Sequence, residues 1–328
     1  MVPREEYLRE LKNNIKAPKT RGISNLGKPS WLTIRPPSDT FHDLRRRMRE
    51  LGLITVCQES HCPNMSECWS GGTATFMVLG DTCTRACKFC AVKARGQPLP
   101  PDPKEPEKLV QAVGEMKLDY VVITAVDRDD LPDGGAAHFA RCITLLKEAY
   151  PKLLIEVLIG DFQGNVDQLN AVISAKPTVI AHNLETVRRL TPHVRDRRAN
   201  YDKTLKVLTN VKKMDSKIKT KSSIMTGLGE TAAELNIAMD DLRAVDCDIV
   251  TFGQYLQPSS WHLPVERYMT PAEFAVLEET ARKKGFLYCA SGPFVRSSYR
   301  AGELFVKGLI AQEQANAHAE QHGIEVAQ

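Results

Sequence analysis

The sequence predicts an α/β fold built as a partial parallel β/α barrel of about six units, with an extension at each end of the barrel. Short apolar runs alternate with amphipathic stretches between residues 74 and 290, which is the pattern of βαβ units in a parallel sheet. The 328 residues, 42% of them hydrophobic, are enough to bury one large core. This number of repeats favours a barrel over a short doubly wound sheet, and in either fold ligands bind at the carboxyl ends of the strands.

The individual elements are predicted from the spacing of apolar residues, which has a period of two in strands and about 3.6 in helices. Strands are predicted at Ala74–Leu79, Tyr120–Thr124, Leu153–Ile159, Thr178–His182, Thr220–Met225, Ile249–Gly253 and Phe286–Ala290. Helices are predicted at Glu105–Met116, Ala137–Ala149, Val166–Ala175, Asn183–Leu190, Lys203–Met214, Ala232–Val245 and Pro271–Lys284.

Both ends of the chain are predicted to lie outside the barrel. Residues 1–38 are rich in Lys and Pro and predict an extended arm, whereas the polar residues 311–328 predict a frayed helical tail. Asp39 is predicted to cap a short amphipathic helix that ends at Gly52. We therefore expect three regions, with residues 1–70 as the arm and a cysteine loop, 71–290 as the barrel, and 291–328 as a carboxyl-terminal extension.

Positive charge is concentrated near the amino end of the chain. Residues 1–50 contain twelve Lys or Arg against six Asp or Glu, although the whole chain has a net charge of only +4. This surplus is typical of a solvated arm or of a docking surface for an acidic partner. No nucleic-acid motif is present, no apolar run reaches the roughly 18–20 residues of a membrane span, and no secretory signal is recognisable. We expect a cytoplasmic protein, monomeric by default, that binds neither nucleic acid nor membrane.

Six of the nine cysteines lie between residues 57 and 90. Of these, Cys83, Cys87 and Cys90 form C-x3-C-x2-C directly after the first predicted strand. Three thiolates on a short loop can hold three irons of a [4Fe–4S] cluster and leave the fourth iron open. Zinc is the alternative, although it normally takes four ligands from paired C-x2-C units. Arg85, inside the loop, either tunes such a cluster by its charge or is simply solvated.

A second triplet has the spacing C-x4-C-x5-C and consists of Cys57, Cys62 and Cys68. By itself this spacing suits zinc or another cluster. Because it directly precedes the first triplet, it predicts a second iron–sulfur centre. The three remaining cysteines lie in apolar helix or strand patterns and are predicted to be core residues; they are Cys142, Cys247 and Cys289.

Three groups of residues that follow predicted strands are candidates for cofactor binding. Acidic side chains suit ribose hydroxyl groups, and glycine allows a ligand to approach the backbone closely. An ordinary turn is the alternative for each group. The candidates are Asp127, Arg128 and Asp129 after the second strand, Asn183 and Glu185 after the fourth, and Gly227, Gly229 and Glu230 after the fifth.

The C-x3-C-x2-C loop after a strand, with Phe89 before its last cysteine, resembles the radical S-adenosylmethionine superfamily. The pair of triplets is similar to lipoyl synthases specifically, and the likeness covers roughly residues 28–305. It includes the segments KPSWL, VVITAVDRDDLPDGGA, HNLETV, IMTGLGE, TFGQYLQPS and GPFVRSSY. The segment Arg195–Tyr201 departs from the form common in bacterial members, so no contacts are carried over from it.

The resemblance implies a ligand set for each cluster. In lipoyl synthases a serine of the R-S-S-Y motif completes the second triplet, and Ser298 matches that serine; a role as a cap or turn residue is the alternative. An alkoxide is a hard ligand for a soft iron–sulfur core, which suits a cluster that releases iron. The resemblance also implies that the first cluster binds S-adenosylmethionine at its open iron, and that the terminal extensions hold the second, auxiliary [4Fe–4S] cluster.

The implied reaction is that of a sulfurtransferase in lipoate biosynthesis. Two sulfur atoms from the auxiliary cluster are inserted at C6 and C8 of an octanoyl group, and each insertion uses one 5′-deoxyadenosyl radical; no side chain acts as a general acid or base. The octanoyl group is attached to a lipoyl carrier protein, either the H protein or a lipoyl domain of a 2-oxoacid dehydrogenase. A ferredoxin or flavodoxin supplies electrons, and an iron–sulfur carrier repairs the cluster. A two-cluster enzyme acting on RNA and a metal-binding scaffold without activity are the alternatives.

Overall fold

An eight-stranded sheet forms the centre of the computed structural model. The strands pair in chain order, and every neighbouring pair is parallel except the first. The structure describes residues 27–32, 39–60, 62, 64–65, 75–94 and 96–298. The strands of the sheet are β1 (Ile54–Thr55), β2 (Thr75–Val78), β5 (Tyr120–Ala125), β6 (Leu154–Leu158), β7 (Val179–Ala181), β8 (Lys219–Thr226), β9 (Ile249–Gln254) and β10 (Tyr288–Gly292); β3 (Thr82–Cys83) and β4 (Lys93–Ala94) form a separate pair.

Helices connect successive parallel strands and cover the outer face of the sheet. Side-chain caps fix the starts of several of these helices: Asn165 and Asn200 each accept two backbone N–H groups, and Thr231 forms a capping box with Glu234. None of the described helices is long and apolar enough to cross a membrane. The helices are α1 (Asp39–Leu51), α2 (Val56–Glu59), α3 (Glu105–Glu115), α4 (Ala136–Ala149), α5 (Val166–Ser174), α6 (Thr191–Val194), α7 (Tyr201–Met214), α8 (Ala232–Arg243) and α9 (Pro271–Lys283).

Side chains of each strand alternate between the outer helices and the interior of the barrel. On β5, Val121 and Ile123 belong to the core shared with the outer helices, whereas Tyr120 and Val122 form a small inner cluster with Val179. The pairing ends at β1 and β10, and no ladder joins these two strands in the described part of the chain. The structure is therefore a partial barrel, as the sequence predicts.

The predicted elements of the barrel lie within two residues of the observed ones, with one exception. The predicted helix Asn183–Leu190 is wrong, because this segment continues along β8. The N–H of Glu185 donates to the carbonyl oxygen of Ser223, and the N–H of Met225 donates to that of Glu185 (2.9 Å each). Glu185 also has a φ of +67°, which an α-helix does not contain. The apolar spacing that suggested a helix includes Leu184, which is fully buried in a core.

The two ends of the chain fall largely outside the described residues. The predicted arm is described only at residues 27–32, and the tail at 311–328 and the predicted boundary at residues 70 and 71 are not described. Helix α1 begins at Asp39, and Gly52 follows it with a φ of +63°. That left-handed conformation ends the helix as predicted. The division into three regions stays a prediction.

A fully buried ion pair lies in the interior of the barrel and joins β6 to β8. Lys221 on β8 donates to Glu156 on β6 (2.7 Å), and the hydroxyl group of Tyr120 on β5 donates to the other oxygen of Glu156 (2.5 Å). Lys221 and Glu156 are each 2% exposed. Because a buried charge is stable only with its partner, these three strands are tied together at one fixed register.

We expect Lys221→Met to destabilise the protein by about 3–5 kcal/mol, because it leaves the Glu156 carboxylate buried without a cation. The double variant Lys221→Met/Glu156→Gln should recover most of that loss, since the introduced amide is neutral and its oxygen still accepts the Tyr120 hydroxyl group. Urea unfolding of the three proteins, followed by circular dichroism, measures the difference. An equal loss of stability in the single and double variants would show that an unpaired charge on Glu156 does not cause the destabilisation.

Candidate metal centre at the carboxyl end of the sheet

The first cysteine loop leaves the carboxyl end of β2. At its base, the strand that contains Cys83 pairs with Lys93–Ala94. The N–H of Arg85 lies 3.4 Å from the sulfur of Cys83, and the N–H of Asp196 lies 3.2 Å from the sulfur of Cys87, both as hydrogen-bond donors. Hydrogen bonds to sulfur stabilise negative charge on it and tune bound clusters. These two contacts therefore favour a thiolate over a thiol at Cys83 and Cys87, although burial opposes them.

The three thiols of this loop supply the soft sulfur ligands that an iron–sulfur cluster requires. In the described part of the chain, no three His, Cys, Asp or Glu side chains converge on a position for one ion. Burial raises the pKa of Cys83 to about 11 and the pKa values of Cys87 and Cys90 to about 12; Cys90 also senses the charges of the other two thiols. Iron binding must therefore displace these protons, as thiolate ligation requires.

Arg85 anchors the loop through a buried ion-pair network. Its guanidinium is 2% exposed and donates to both carboxylate oxygens of Asp129 (2.9 and 2.8 Å) and to Asp161 (2.6 Å); the carboxylate of Asp127 lies 3.6 Å away. Burial opposes the positive charge, but these carboxylates raise the pKa of Arg85. Of the two roles that the sequence left open, solvation is excluded. One side chain joins the cysteine loop to the ends of β5 and β6.

Two segments that are distant in the sequence hold the other side of the loop. The carboxylate of Asp196 accepts the N–H of Ala86 (3.0 Å). His262 donates from Nε2 to the carbonyl oxygen of Cys90 (2.9 Å), and its Nδ1 accepts the hydroxyl group of Ser259 (2.8 Å). The sequence pattern singled out neither Asp196 nor His262. The closest signal is that His262 follows the segment TFGQYLQPS.

The predicted residues Arg128 and Asp129 act within the protein framework. Asp129 is the bidentate partner of the loop arginine. Arg128 donates through two nitrogens to Asp130 (2.8 Å each) and through the third to the carbonyl oxygen of Leu79 (2.8 Å). The N–H of Leu79 donates to Glu105 (2.9 Å), and Leu79 has a left-handed φ of +71°. Arg128 therefore fixes the turn from which the cysteine loop starts.

Of the three carboxylates around Arg85, that of Asp127 makes the longest contact with the guanidinium. Burial raises its pKa to about 6; Arg85 lowers it, and the other two carboxylates of the network raise it further. Asp127 also lines a cavity of about 260 Å³ between the loops that follow β5 and β6, together with Gly160 and Phe162. Its carboxylate is therefore available to a hydroxyl group or a cation.

The second predicted group contains buried polar atoms without a partner among the described residues. Asn183 donates from Nδ2 to Glu185 (3.0 Å), but its Oδ1 is unpaired. Arg195 donates to the hydroxyl group of Thr204 (2.9 Å), but its Nε is unpaired. The charges of Arg195 and Glu185 both act on Cys87. A buried acceptor and a buried donor beside the cysteine loop indicate that a polar ligand completes this site; sequence reasoning missed Arg195.

The third predicted group forms a tight turn at the end of β8. The Glu230 carboxylate accepts the N–H groups of Gly227 (2.6 Å) and Leu228 (2.9 Å). Gly227 has a φ of +92°, and a Cβ atom there would lie 2.5 Å from the carbonyl oxygen of Arg267. Only glycine fits this position. Gly229 also has a positive φ (+98°), so two glycines in left-handed conformations shape this turn.

The second cysteine triplet follows β1, which pairs antiparallel with β2. Cys57 is buried in α2, whose first turn is capped by Thr55. The N–H of Cys62 donates to the carbonyl oxygen of Cys57 (3.0 Å), so one turn holds both residues. Burial raises the pKa of Cys62, and the charge of Arg296 lowers it. Cys68 lies outside the described residues.

The carboxyl-terminal motif packs against this second triplet. Asn64, two residues after Cys62, donates to the carbonyl oxygen of Phe294. A Cβ atom on Gly253 of β9 would overlap the carbonyl oxygen of Val295, so the strand and the C-terminal segment are in close contact. Ser298 is half-buried and follows Phe294 by four residues. The structure thus brings Phe294 and Val295 to Asn64 and to the end of β9, and Tyr299 lies outside the described residues.

The three cysteines outside the triplets are buried in the hydrophobic cores. Their pKa values are raised chiefly by burial, as expected for inert core thiols. The prediction that they are core residues is confirmed; they are Cys142, Cys247 and Cys289.

Comparison with known proteins indicates which family has a cysteine loop of this kind. Residues 77–242 match the model of the Radical SAM superfamily. The chain is 55% identical over 285 residues to a lipoyl synthase from Anaeromyxobacter sp., which covers 87% of this chain and 97% of that protein. The chain belongs to the lipoyl synthase family. A mitochondrial lipoyl synthase from Komagataella phaffii is 49% identical over 304 residues, which covers 91% of this chain and 73% of that one.

Membership in the lipoyl synthase family confirms the resemblance seen in the sequence, and with it an enzyme whose cofactors are S-adenosylmethionine and two [4Fe–4S] clusters. Among solved structures, methylornithine synthase shares the fold at 15% identity, with a TM-score of 0.51 over 80% of this chain and 85% of that chain. It supports the partial β/α barrel. The zinc alternative for the first triplet has no support from either comparison.

We expect Arg85→Met to abolish assembly of the first cluster, because three carboxylates lose the buried cation that holds the loop; breaking such a network costs about 3–5 kcal/mol. After anaerobic reconstitution, the variant should hold about half of the wild-type iron, measured by colorimetry. Arg198→Met is the matched control, since that guanidinium also contacts Asp129 but is 40% exposed. Full iron content in Arg85→Met would contradict the assigned role.

Proposed function

We propose that this protein inserts two sulfur atoms at C6 and C8 of an octanoyl group on a lipoyl carrier protein. The observation that supports the proposal most directly is the hydrogen bond from Asn64 to the carbonyl oxygen of Phe294. It joins the second cysteine segment to the chain that follows β10, at the carboxyl end of the parallel strands, where the first cysteine loop also begins. When bound, S-adenosylmethionine and the first cluster supply 5′-deoxyadenosyl radicals, and the auxiliary cluster supplies sulfur. The remaining chemistry is positioning and exclusion of water by the protein.

Cys83, Cys87 and Cys90 are proposed to bind three irons of the first cluster. Four parts of the surrounding protein hold the loop that contains these sulfurs. Arg85 ties the loop to the ends of β5 and β6, the 191–196 segment donates to Cys87, and His262 donates to the carbonyl group of Cys90. A rigid loop keeps the open iron at a fixed distance from a bound substrate, which a radical reaction requires.

S-adenosylmethionine is proposed to bind between this loop and the ends of β5, β7 and β8. Asp127, Asn183 and Glu185 offer polar atoms to its ribose and amino acid groups, and the Gly227–Glu230 turn offers backbone atoms to its adenine. Arg195 adds a cation for the carboxylate, because its Nε is buried without a partner in the described part of the chain. Arg128, Asp129 and Glu230 support this site by holding its turns rather than by contact.

The auxiliary cluster is proposed to bind Cys57, Cys62, Cys68 and Ser298. Support comes from the shared turn of the first two cysteines and from the hydrogen bond between Asn64 and Phe294, which holds the carboxyl-terminal segment at this place. A serine ligand binds iron–sulfur cores more weakly than a thiolate. Release of iron from this position is then compatible with a cluster that is consumed as sulfur donor.

The macromolecular partners follow from the reaction. The substrate is proposed to be an octanoylated H protein or a lipoyl domain of a 2-oxoacid dehydrogenase, and the basic amino-terminal segment suits an acidic carrier of either kind. A ferredoxin or flavodoxin is proposed to reduce the first cluster, and an iron–sulfur carrier to rebuild the auxiliary one. A cytoplasmic location stays a prediction, since the relatives include a mitochondrial protein.

Anaerobic incubation with S-adenosylmethionine, dithionite and an octanoyl-lysine peptide tests the activity. Mass spectrometry should show that two sulfur atoms have been added to the acyl chain, which gives a dihydrolipoyl group, with 5′-deoxyadenosine and methionine as co-products. Cys83→Ala should abolish both 5′-deoxyadenosine and sulfur insertion, because the radical cannot be generated without the first cluster. Cys142→Ala is the control for loss of a cysteine outside the triplets. Sulfur insertion by Cys83→Ala would refute the proposed function.

Ser298→Ala should separate formation of the 5′-deoxyadenosyl radical from insertion of sulfur. We expect it to retain 5′-deoxyadenosine formation but to lower lipoyl product at least about 100-fold, a loss typical of a reacting group that is no longer held in place. Ser297→Ala, the neighbouring serine of the same motif, should retain both activities. Equal product from the two variants would show that Ser298 is only a turn residue. The readouts are chromatography of 5′-deoxyadenosine and mass spectrometry of the peptide.

A further inference from the structure

Arg195 lies between the first cysteine loop and the segment that follows β7. The next residue, Asp196, donates its N–H to the sulfur of Cys87 (3.2 Å), and Nη1 of Arg195 donates to the carbonyl oxygen of Leu184 (3.4 Å). Its Nε atom is buried and has no hydrogen-bond partner in the described part of the chain. A buried N–H group of a cation requires an acceptor, so a ligand that accepts hydrogen bonds fits this position.

Two buried side chains hold the Nη1 end of this guanidinium. Nη1 donates to the hydroxyl group of Thr204 on α7 (2.9 Å), and the Oγ1 atom of Thr204 lies 3.3 Å from Nε2 of His182. On the far side of the ring, Nδ1 of His182 lies 2.8 Å from the carbonyl oxygen of Ile159. Thr204 is 1% exposed and His182 is 3% exposed, so bulk water does not compete for these contacts.

The direction of each hydrogen bond in this chain is fixed by its two ends. The carbonyl oxygen of Ile159 can only accept, so Nδ1 of His182 carries the proton, and burial lowers the pKa of this histidine to about 4. The neutral ring therefore accepts at Nε2. Arg195 can only donate, which leaves the O–H of Thr204 to donate to His182. Because a guanidinium is planar and rigid, holding Nη1 also fixes the direction of Nε.

The unpaired atoms beside this chain indicate what it orients. Asn183, which precedes Leu184, has a buried Oδ1 without a partner among the described residues, and Arg195 has a buried Nε. An acceptor and a cationic donor match the ammonium and carboxylate groups of an amino acid, which S-adenosylmethionine contains.

We propose that His182 and Thr204 are positioning residues that orient Arg195, so that its Nε faces the carboxylate of S-adenosylmethionine. The proposal rests on the placement of the cofactor that is part of the proposed function.

The test measures binding rather than turnover. The full chain with both clusters reconstituted is dialysed anaerobically, without reductant, against S-adenosylmethionine or its decarboxylated analogue, and each Kd is determined. Thr204→Val removes the hydroxyl group, and Thr204→Ser keeps it. Thr209→Val is the matched control, because it removes a hydroxyl group from the same helix that donates to the carbonyl oxygen of Leu205 (2.9 Å). Arg195→Met removes the cation itself.

We expect Thr204→Val to raise the Kd for S-adenosylmethionine at least about tenfold, as when a hydrogen bond to a charged group is lost. Thr204→Ser and Thr209→Val should bind it as the wild type does. The Kd for the decarboxylated analogue should be the same in all these proteins, since the analogue lacks the carboxylate. Unchanged binding of S-adenosylmethionine by Thr204→Val would overturn the proposal. An equal loss for both ligands, or no rescue by Thr204→Ser, would overturn it too.

Two amide variants test His182 independently of the Thr204 series. His182→Gln offers an amide oxygen where Nε2 accepts, whereas His182→Asn offers an amide nitrogen where Nδ1 donates and leaves Thr204 without an acceptor. We therefore expect His182→Asn to lose affinity for S-adenosylmethionine and His182→Gln to retain most of it. Equal affinities, or the opposite order, would contradict the role of the hydrogen-bond chain.

Arg195→Met distinguishes failure of this inference from failure of the proposed function. If that variant binds S-adenosylmethionine as tightly as the wild type, the proposed placement of the cofactor is wrong, and the role of Thr204 with it. If it loses affinity and Thr204→Val does not, only the positioning role is wrong. Sulfur insertion is scored separately with the octanoyl-lysine peptide, which the binding measurement does not require.

Discussion

The active end of this barrel depends on one buried arginine. Arg85 comes from the cysteine loop itself, and its partners Asp127, Asp129 and Asp161 come from the ends of two different strands. Each charge is unstable there without the others, so the loop and the two strand ends can form only as a unit. Lys203 on α7 pairs with Asp161, and Arg198 pairs with Asp129 and Asp196, which extends the network to the segment that follows α6.

Parallel topology determines what this network can organise. Strands that pair in chain order bring their carboxyl ends to one edge, and each following loop then contributes its polar residues to the same place. The second triplet follows the short antiparallel strand β1. The carboxyl-terminal segment after β10 reaches it from the opposite end of the sheet and meets Asn64. Two clusters can therefore lie close together although their ligands span most of the chain.

Most of the barrel could be predicted because its signals are local. Apolar periodicity predicted the strands and most helices, and the spacing of the first cysteine triplet favoured an iron–sulfur cluster over zinc. The segment Asn183–Leu190 failed for a physical reason: its backbone pairs with β8, and no local pattern reports a partner strand that lies farther along the chain. Arg128 was predicted to bind the cofactor on the basis of its neighbours, but its nitrogens all bond within the protein.

The sequence by itself determined which atoms can bind metal and in what spacing, because cysteine identity and loop length are local properties. It also determined the family, through motifs spread over nearly the whole chain. Only the tertiary structure decided what surrounds those atoms. Asp196 binds a loop 110 positions earlier, and His262 binds Cys90 across 172 positions. Contacts of this kind depend on how the strands are ordered and how closely the loops pack, and neither is encoded in a short stretch of residues.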